Sequence, residues 1–328
     1  MKEEIIKLLK GNKNNFISGE KISESIGITR AAVWKYIKAI KEDGYEIESV
    51  SRKGYKLTSS PDLLTFEEIS PNLKTRFIGR NFVHLDTIDS TNNEAKKLAI
   101  DGVPEGTLVI SEEQTMGRGR LGRNWISPKH KGIWMSLILR PEINPIQVSK
   151  ITQVAAAAVC IALIDMGIRT LIKWPNDIVL NGKKVCGILT EMSGELNRVN
   201  YVIVGIGINA NIDKDEFPED LKPTASSLKI EIGNYIKRKE LVRRILNNFE
   251  ELYEELINEE TIKKSIEICK DNSALIGKEI KIIEKGKETR ARALSLNEDG
   301  KLIVQYKDGK VDELISGEIS VRGLYGYV

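Results

Sequence analysis

Lys173-Trp174-Pro175-Asn176-Asp177 is the stretch on which the reading of this chain turns. The apolar run Thr170–Ile172 leads into it, Pro175 stiffens the turn, and an Asn and an Asp are expected to be exposed at its end. Strand ends in α/β sheets are where ligands sit. Ten residues on from the Lys-Trp pair comes Lys183-Lys184-Val185-Cys186-Gly187-Ile188-Leu189. There Lys184 heads a second buried strand, and Gly187 leaves room for a ligand against the backbone. A plainer reading makes Lys184 an exposed hairpin lysine, because Asn181-Gly182 just precedes it.

Outward from this pair, strand-like runs are expected at Leu108–Ser111, Ile133–Leu139, Leu171–Trp174, Lys184–Met192 and Tyr201–Ile208. Helical periodicity is expected over Thr91–Ile100, Gln147–Met166 and the long stretch Lys239–Cys269. The pattern predicts a mixed α/β domain over 63–270, one sheet covered by helices.

Three further constellations lie in it. Gly117-Arg118-Gly119-Arg120-Leu121-Gly122 has the letters of a dinucleotide fingerprint, but Arg123-Asn124-Trp125-Ile126-Ser127-Pro128 follows where a helix should open. Its information is in Arg118, Arg120 and Arg123: three guanidinium groups so close repel one another unless an anion neutralises them, although a solvated basic loop would read the same. Asp89-Ser90-Thr91-Asn92 precedes a helix; its hydroxyls either cap that helix or offer neutral donors and acceptors to a polar head group. Gly205-Ile206-Gly207-Ile208-Asn209 ends a strand with alternate glycines that clear space for a flat ring.

The first sixty residues form a separate unit. Ile5, Ile6, Leu8 and Leu9 give a short helical face before a breaker run at 11–15, and a second short helix carries Ile22 and Ile26. Gly27 turns the chain, Thr29 caps a helix over Arg30–Lys41, and Val33, Ile37 and Ile40 face inward. Arg30, Trp34, Lys35, Lys38 and Lys41 are left facing out. Strands at Tyr45–Val50 and Tyr55–Leu57 flank a basic tip, Ser51-Arg52-Lys53-Gly54. This is a winged helix-turn-helix expected to bind DNA through Arg30, Trp34, Lys35, Lys38, Arg52 and Lys53, against the alternative of a small helical interaction domain. Twelve Lys/Arg against eight Asp/Glu give these sixty residues a net +4, so the whole-chain +3 leaves about −1 elsewhere.

Beyond Ser59-Ser60-Pro61-Asp62, a linker, and the α/β domain, the chain changes character at 274–328. Short alternating strands turn at Lys285-Gly286, Asp299-Gly300 and Asp308-Gly309, as in a small β barrel. The overall class is thus α+β and multidomain. Only His84 and His130 occur, so a multi-histidine metal centre lacks its residues. Cys160, Cys186 and Cys269 form no CxxC pair and read as buried hydrophobes in a reducing compartment. No membrane span or leader is read, and a cytoplasmic protein is expected.

In order and spacing, Ser90-Thr91-Asn92, Gly117 to Arg123, Lys173 to Asp177, Lys184 with Gly187-Ile188-Leu189, and Gly205 to Asn209 resemble the biotin–protein ligase family. Thr29 to Lys35 and Lys53-Gly54-Tyr55 resemble its bifunctional members that also repress biotin operons. The resemblance implies a central domain of the biotin/lipoate ligase type and an SH3-like C-terminal barrel. It implies ATP-dependent formation of biotinyl-5′-adenylate and transfer of biotin to a lysine of a biotin carboxyl carrier protein. Catalytic charge would come from Lys184, Arg118 and Arg120. Biotin would be bound by Ser90, Thr91, Asn92, Gln114, Gly117, Arg118, Lys184 and Gly187. The adenylate would be bound by Arg118, Arg120, Arg123, Trp125, Lys184 and Asn209, with Mg²⁺ on Asp177. The adenylate would also serve as corepressor, promoting a homodimer on operator DNA. In one respect the chain departs from the family: Asn211–Ser227 is charged and shows no apolar cover for adenine. A lipoate ligase is the nearest rival in chemistry, and a repressor that only senses its ligand the rival in class.

Overall fold

The computed structural model describes residues 1–12, 15–284, 286–317, 319–324 and 326–328, so residues 13 and 14 of the expected breaker run and residue 285 of one expected turn lie outside the described residues. The chain divides into two compact units, Met1–Pro71 and Asn72–Val328.

In the first unit α1 (Lys2–Gly11), α2 (Gly19–Ile26) and α3 (Arg30–Glu42) are followed by the antiparallel pair β1 (Glu46–Val50) and β2 (Gly54–Ser59) and a short α4 (Phe66–Ile69). Local chemistry sets each boundary. The Ser18 hydroxyl accepts from Lys21 N at 3.1 Å and the Thr29 hydroxyl from Ala32 N at 3.2 Å, starting α2 and α3. Gly27, at φ 74°, takes the left-handed conformation that ends α2. Ile5, Leu9, Ile22, Val33, Ile37 and Ile40 close the core these helices share. This unit runs past residue 60 because Leu64 and Ile69 are buried and Lys10 pairs with Glu68 on α4 at 2.6 Å.

The second unit opens with β3 (Phe82–Leu85), α5 (Thr91–Ile100), β4 (Leu108–Ser111) and β5 (Ile133–Leu139). Then come α6 (Val148–Ile164), β6 (Leu171–Lys173), β7 (Asp177–Leu180), β8 (Lys183–Glu195) and β9 (Arg198–Ile208). These strands form a seven-stranded sheet of order β3-β4-β5-β9-β8-β7-β6, parallel only between β3 and β4. After α7 (Leu228–Ile232), the expected single helix over 239–269 is two: α8 (Arg238–Glu259) and α9 (Lys263–Asp271). Glu260 adopts φ 58° and breaks the helix, letting Ile262 bury fully. The helical run Pro145–Ile164, which contains α6, is long and apolar enough to cross a membrane, but here α6 is the core helix, packed against α8, α9 and the sheet.

The chain ends in β10 (Glu279–Glu284), β11 (Lys287–Leu296), β12 (Leu302–Tyr306), β13 (Val311–Leu314) and β14 (Ser320–Gly323). They make a five-stranded antiparallel sheet of order β13-β12-β11-β10-β14. This sheet reaches the central one through specific bonds. Trp174 Nε1 donates to Gly300 O at 2.8 Å, and Lys150 pairs with Asp299 at 2.9 Å.

Candidate active site

The turn between β6 and β7 carries the centre of the site. Its Trp174–Pro175 peptide is cis. Asn176 and Asp177 are only 7% and 8% exposed, contrary to the expectation that the turn presents them to solvent: both side chains are turned inward. Asn176 Nδ2 donates to Ile188 O at 2.8 Å, and its Oδ1 accepts from Arg120 at 2.9 Å. The turn Asn181-Gly182, with φ 50° and 78°, delivers Lys184 to the start of β8. Lys184 is not an ordinary exposed hairpin lysine, because its Nζ stands 2.6 Å from Asp177 Oδ1. Tyr327 donates to Asp177 Oδ2 at 2.5 Å, and Lys173 Nζ lies 3.6 Å from the centroid of the Tyr327 ring.

Charge at this centre follows from burial and neighbours. Burial penalises the Asp177 carboxylate, but the Lys184 and Lys173 charges and the Tyr327 hydroxyl outweigh it and hold Asp177 below the usual carboxylate range. Burial pushes the Lys173 ammonium down to about 8, with Asp177 opposing and Lys184, Arg322 and Arg123 adding to the depression. The Tyr327 phenol is raised, first by burial and then by the Asp177 charge. A buried ammonium, Lys173, and a partly buried one, Lys184, set against one carboxylate leave a net positive pocket. Such a pocket binds anions.

The arginine loop borders it. Residues 120–122 form one 3-10 turn, with Leu121 at φ 56°, and no α-helix follows, as the breaker residues require. Arg120 bonds Asn176 and the carbonyls of Gly317 (2.5 Å) and Ile319 (3.3 Å), and its burial lowers its pKa. Arg118 donates to Asn93 at 3.2 Å, while Arg118, Arg120 and Arg123 all line the pocket.

At the other end a polar cluster is prearranged. Ser90 stands at the N-cap of α5, but its side chain makes no capping bond, so the plain reading of it as a cap fails. Thr91 donates from N (2.9 Å) and Oγ1 (3.1 Å) to Gln114 Oε1, and Gln114 Nε2 donates to Ser127. Asn92 Oδ1 accepts from Ser136 at 2.6 Å and its Nδ2 donates to Glu191 at 2.7 Å. Ser90, Thr91, Asn92 and Gln114 all line the same pocket as Lys184.

The glycines act differently from expectation. A Cβ on Gly205 would lie 2.2 Å from Asn92 Oδ1, and one on Gly207 would lie 2.6 Å from Trp125 Nε1. The flat ring that Gly207 clears space for is the protein's own Trp125 indole, and its Nε1 is buried with no partner among the described residues. A Cβ on Gly187 would meet Lys184 and Trp125 at 3.0 Å, and one on Gly117 would meet Trp125 O at 2.3 Å. These glycines therefore admit neighbouring protein atoms before any ligand.

The 211–227 stretch also differs from expectation. Phe217 and Ile212 pack with Trp134, and Trp125 and Ala225 lie against them. Phe217, Leu221 and Ala225 line the pocket beside Asn209, so an apolar wall exists on that side. It was hidden because the flanking charges serve a capping box, Asp213 with Glu216, that turns the chain and points its one aromatic inward. Lys173, Tyr327, Arg322 and Phe217 are lining residues absent from the residues assigned to binding from sequence. Lys173 lay within the quoted motif; the tail residues carried no local signal.

Asp177 does not fit a metal site. Lys184 and Tyr327 engage its two oxygens, Lys173 is near, and no cluster of three His, Cys, Asp or Glu exists among the described residues. In the other unit, Arg30, Trp34, Lys35, Lys38, Arg52 and Lys53 are all exposed, Trp34 at 62%, while Arg30 pairs with Glu20.

The chain matches the family model of the biotin/lipoate A/B protein ligases over residues 85–209. An HTH domain model matches over 2–56, and the biotin protein ligase C-terminal domain over 275–322. A bifunctional ligase/repressor of Bacillus spizizenii is 41% identical over 98% of both chains. This chain belongs to the bifunctional biotin ligase/repressor family. The member from Escherichia coli is 29% identical over 94% of this chain and 93% of its own. Among solved structures, the biotin protein ligase of Aquifex aeolicus, in complex with biotin and ATP, is 32% identical with a TM-score of 0.65. It covers 74% of this chain and 99% of its own, and so carries the ligase fold of this family.

Proposed function

We propose that this protein uses ATP to activate biotin as biotinyl-5′-adenylate and then transfers biotin to a lysine of a biotin carboxyl carrier protein. The observation that carries the reading is the single pocket joining the neutral Thr91–Gln114–Asn92 cluster to the Lys173–Asp177–Lys184 centre. The first end suits an uncharged ureido head group, the second a carboxylate meeting a triphosphate. Attack of the biotin carboxylate on the α-phosphorus, with pyrophosphate leaving, brings anions together. Lys184, Lys173, Arg120 and Arg123 offset that repulsion in a partly dehydrated site. Arg118 closes the loop and keeps water from the mixed anhydride. Phe217 and Trp125 wall the adenine side. The carrier lysine then attacks the acyl carbon and AMP leaves. No protein nucleophile is needed, in keeping with three buried cysteines; burial raises the Cys186, Cys269 and Cys160 thiols, Cys160 to about 11.

The buried thiols suit a reducing, cytoplasmic setting. The same adenylate acts as corepressor: it promotes a homodimer whose paired winged helices span two half-sites on operator DNA. Exposed Trp34, Lys35, Lys38 and the Arg52-Lys53 tip support this reading. The test is incubation with ATP, biotin and a carrier domain, followed by mass spectrometry of the carrier lysine. One added biotin, absent in Lys184→Ala, is expected; an unmodified carrier would refute the assignment.

A further inference from the structure

Asp177 is buried between two lysines, yet only one of its oxygens is held by the catalytic domain itself. The second is held by Tyr327 from the tail that follows β14. The tail's last residue packs back on the strand: a Cβ on Gly323 would lie 2.4 Å from the Val328 carbonyl carbon. Tyr327 makes two contacts from one ring. Its hydroxyl donates to Asp177 Oδ2 at 2.5 Å, and its face receives the Lys173 ammonium at 3.6 Å. Arg120 is anchored on the other side of β14, through the carbonyls of Gly317 and Ile319 that lead into that strand.

We propose that Tyr327 is a positioning residue of the catalytic centre: it fixes the Asp177 carboxylate and seats Lys173, so that Lys173 and Lys184 meet the phosphates of the nucleotide in one orientation. This rests on the adenylation reading above. Without the hydroxyl, Asp177 is free to rotate toward either lysine and neutralise the cation that the reaction needs. The C-terminal sheet then acts in catalysis as well as in support, because its tail completes the constellation. Tyr327 touches no reacting atom; it acts through Asp177 and Lys173.

Tyr327→Phe keeps the ring under Lys173 and removes only the hydroxyl. The experiment is biotin-dependent exchange of labelled pyrophosphate into ATP by the full chain, with each rate divided by the biotin-binding sites counted by calorimetric titration. Counting sites separates lost positioning from lost folding. A hydrogen bond to a charged group is worth on the order of tenfold. Tyr327→Phe is therefore expected to lower kcat per site by fivefold or more, with the KM for biotin within twofold. Tyr327→Leu, which loses the ring as well, falls further. A smaller fall in kcat per site, or a loss confined to the number of sites or to the KM for biotin, overturns the inference. No exchange by the unsubstituted protein would instead overturn the adenylation reading, and this inference with it.

Discussion

Replacing Lys173 by Met tests whether this centre keeps a costly charge for the sake of its ligand. Lys173 is 5% exposed, and burial brings its pKa from 10.5 to about 8. At about 1.4 kcal/mol per tenfold change, that drop makes the charged form roughly 3 kcal/mol less favourable in the folded chain than in the unfolded one. The folded value lies below the unfolded one, so the penalty is fully present below pH 8 and is relieved as pH rises from about 8 to about 10.5. Met has a similar shape and no charge, but it forfeits the contact with the Tyr327 ring, worth about 1 kcal/mol. Lys173→Met should therefore be more stable than the wild type by about 2 kcal/mol at pH 7, with the gap closing by pH 10.5. Denaturant unfolding at several pH values measures this. The same variant should lose about a hundredfold in pyrophosphate exchange, because a cation beside the phosphates is gone. A variant less stable than the wild type at pH 7, or a gap that does not change with pH, would refute the reasoning.

Arg118→Gly should release the adenylate early and label bystander lysines; adenylate retained as in the wild type, in a rapid filtration assay, would contradict the role of the loop as a lid. Phe217→Ala removes a buried ring from the wall with Trp134 and Ile212, and should cost about 3 kcal/mol of stability. It should also raise the KM for ATP more than that for biotin, as steady-state exchange would reveal. Deleting 1–71, the whole first compact unit, should leave carrier biotinylation intact and abolish operator binding in a gel-shift assay. Loss of adenylate formation in that truncation would show that the units are not separable.

Where periodicity and caps coincide, the fold was legible in the sequence. The expected spans of α5, β4 and β5 match the structure, since each is bounded by strong local signals: a polar run before Thr91, and apolar strands with abrupt ends. The break at Glu260 was not legible, because a non-glycine residue in the left-handed region leaves no compositional trace. Of the site, the three arginines stood out because clustered like charge needs an explanation, and Lys184 because it heads a strand; Lys173 was quoted in its motif but given no role. The apolar wall at Phe217 was masked by capping charges around it. Tyr327 lies 150 residues from Asp177 in sequence, and no local pattern can announce a contact that the last strand's path creates. The glycines of 205–207 were read as making space; that the occupants are Asn92 and Trp125 is a tertiary fact.

The central claim, that one pocket adenylates biotin, is tested most directly by pyrophosphate–ATP exchange with biotin, lipoate and octanoate offered separately to the purified full chain. Exchange with biotin alone is the result predicted by the neutral cluster at Thr91, Asn92 and Gln114 joined to the Lys173–Lys184 centre. No exchange with biotin by folded protein, or equal exchange with lipoate, would contradict it.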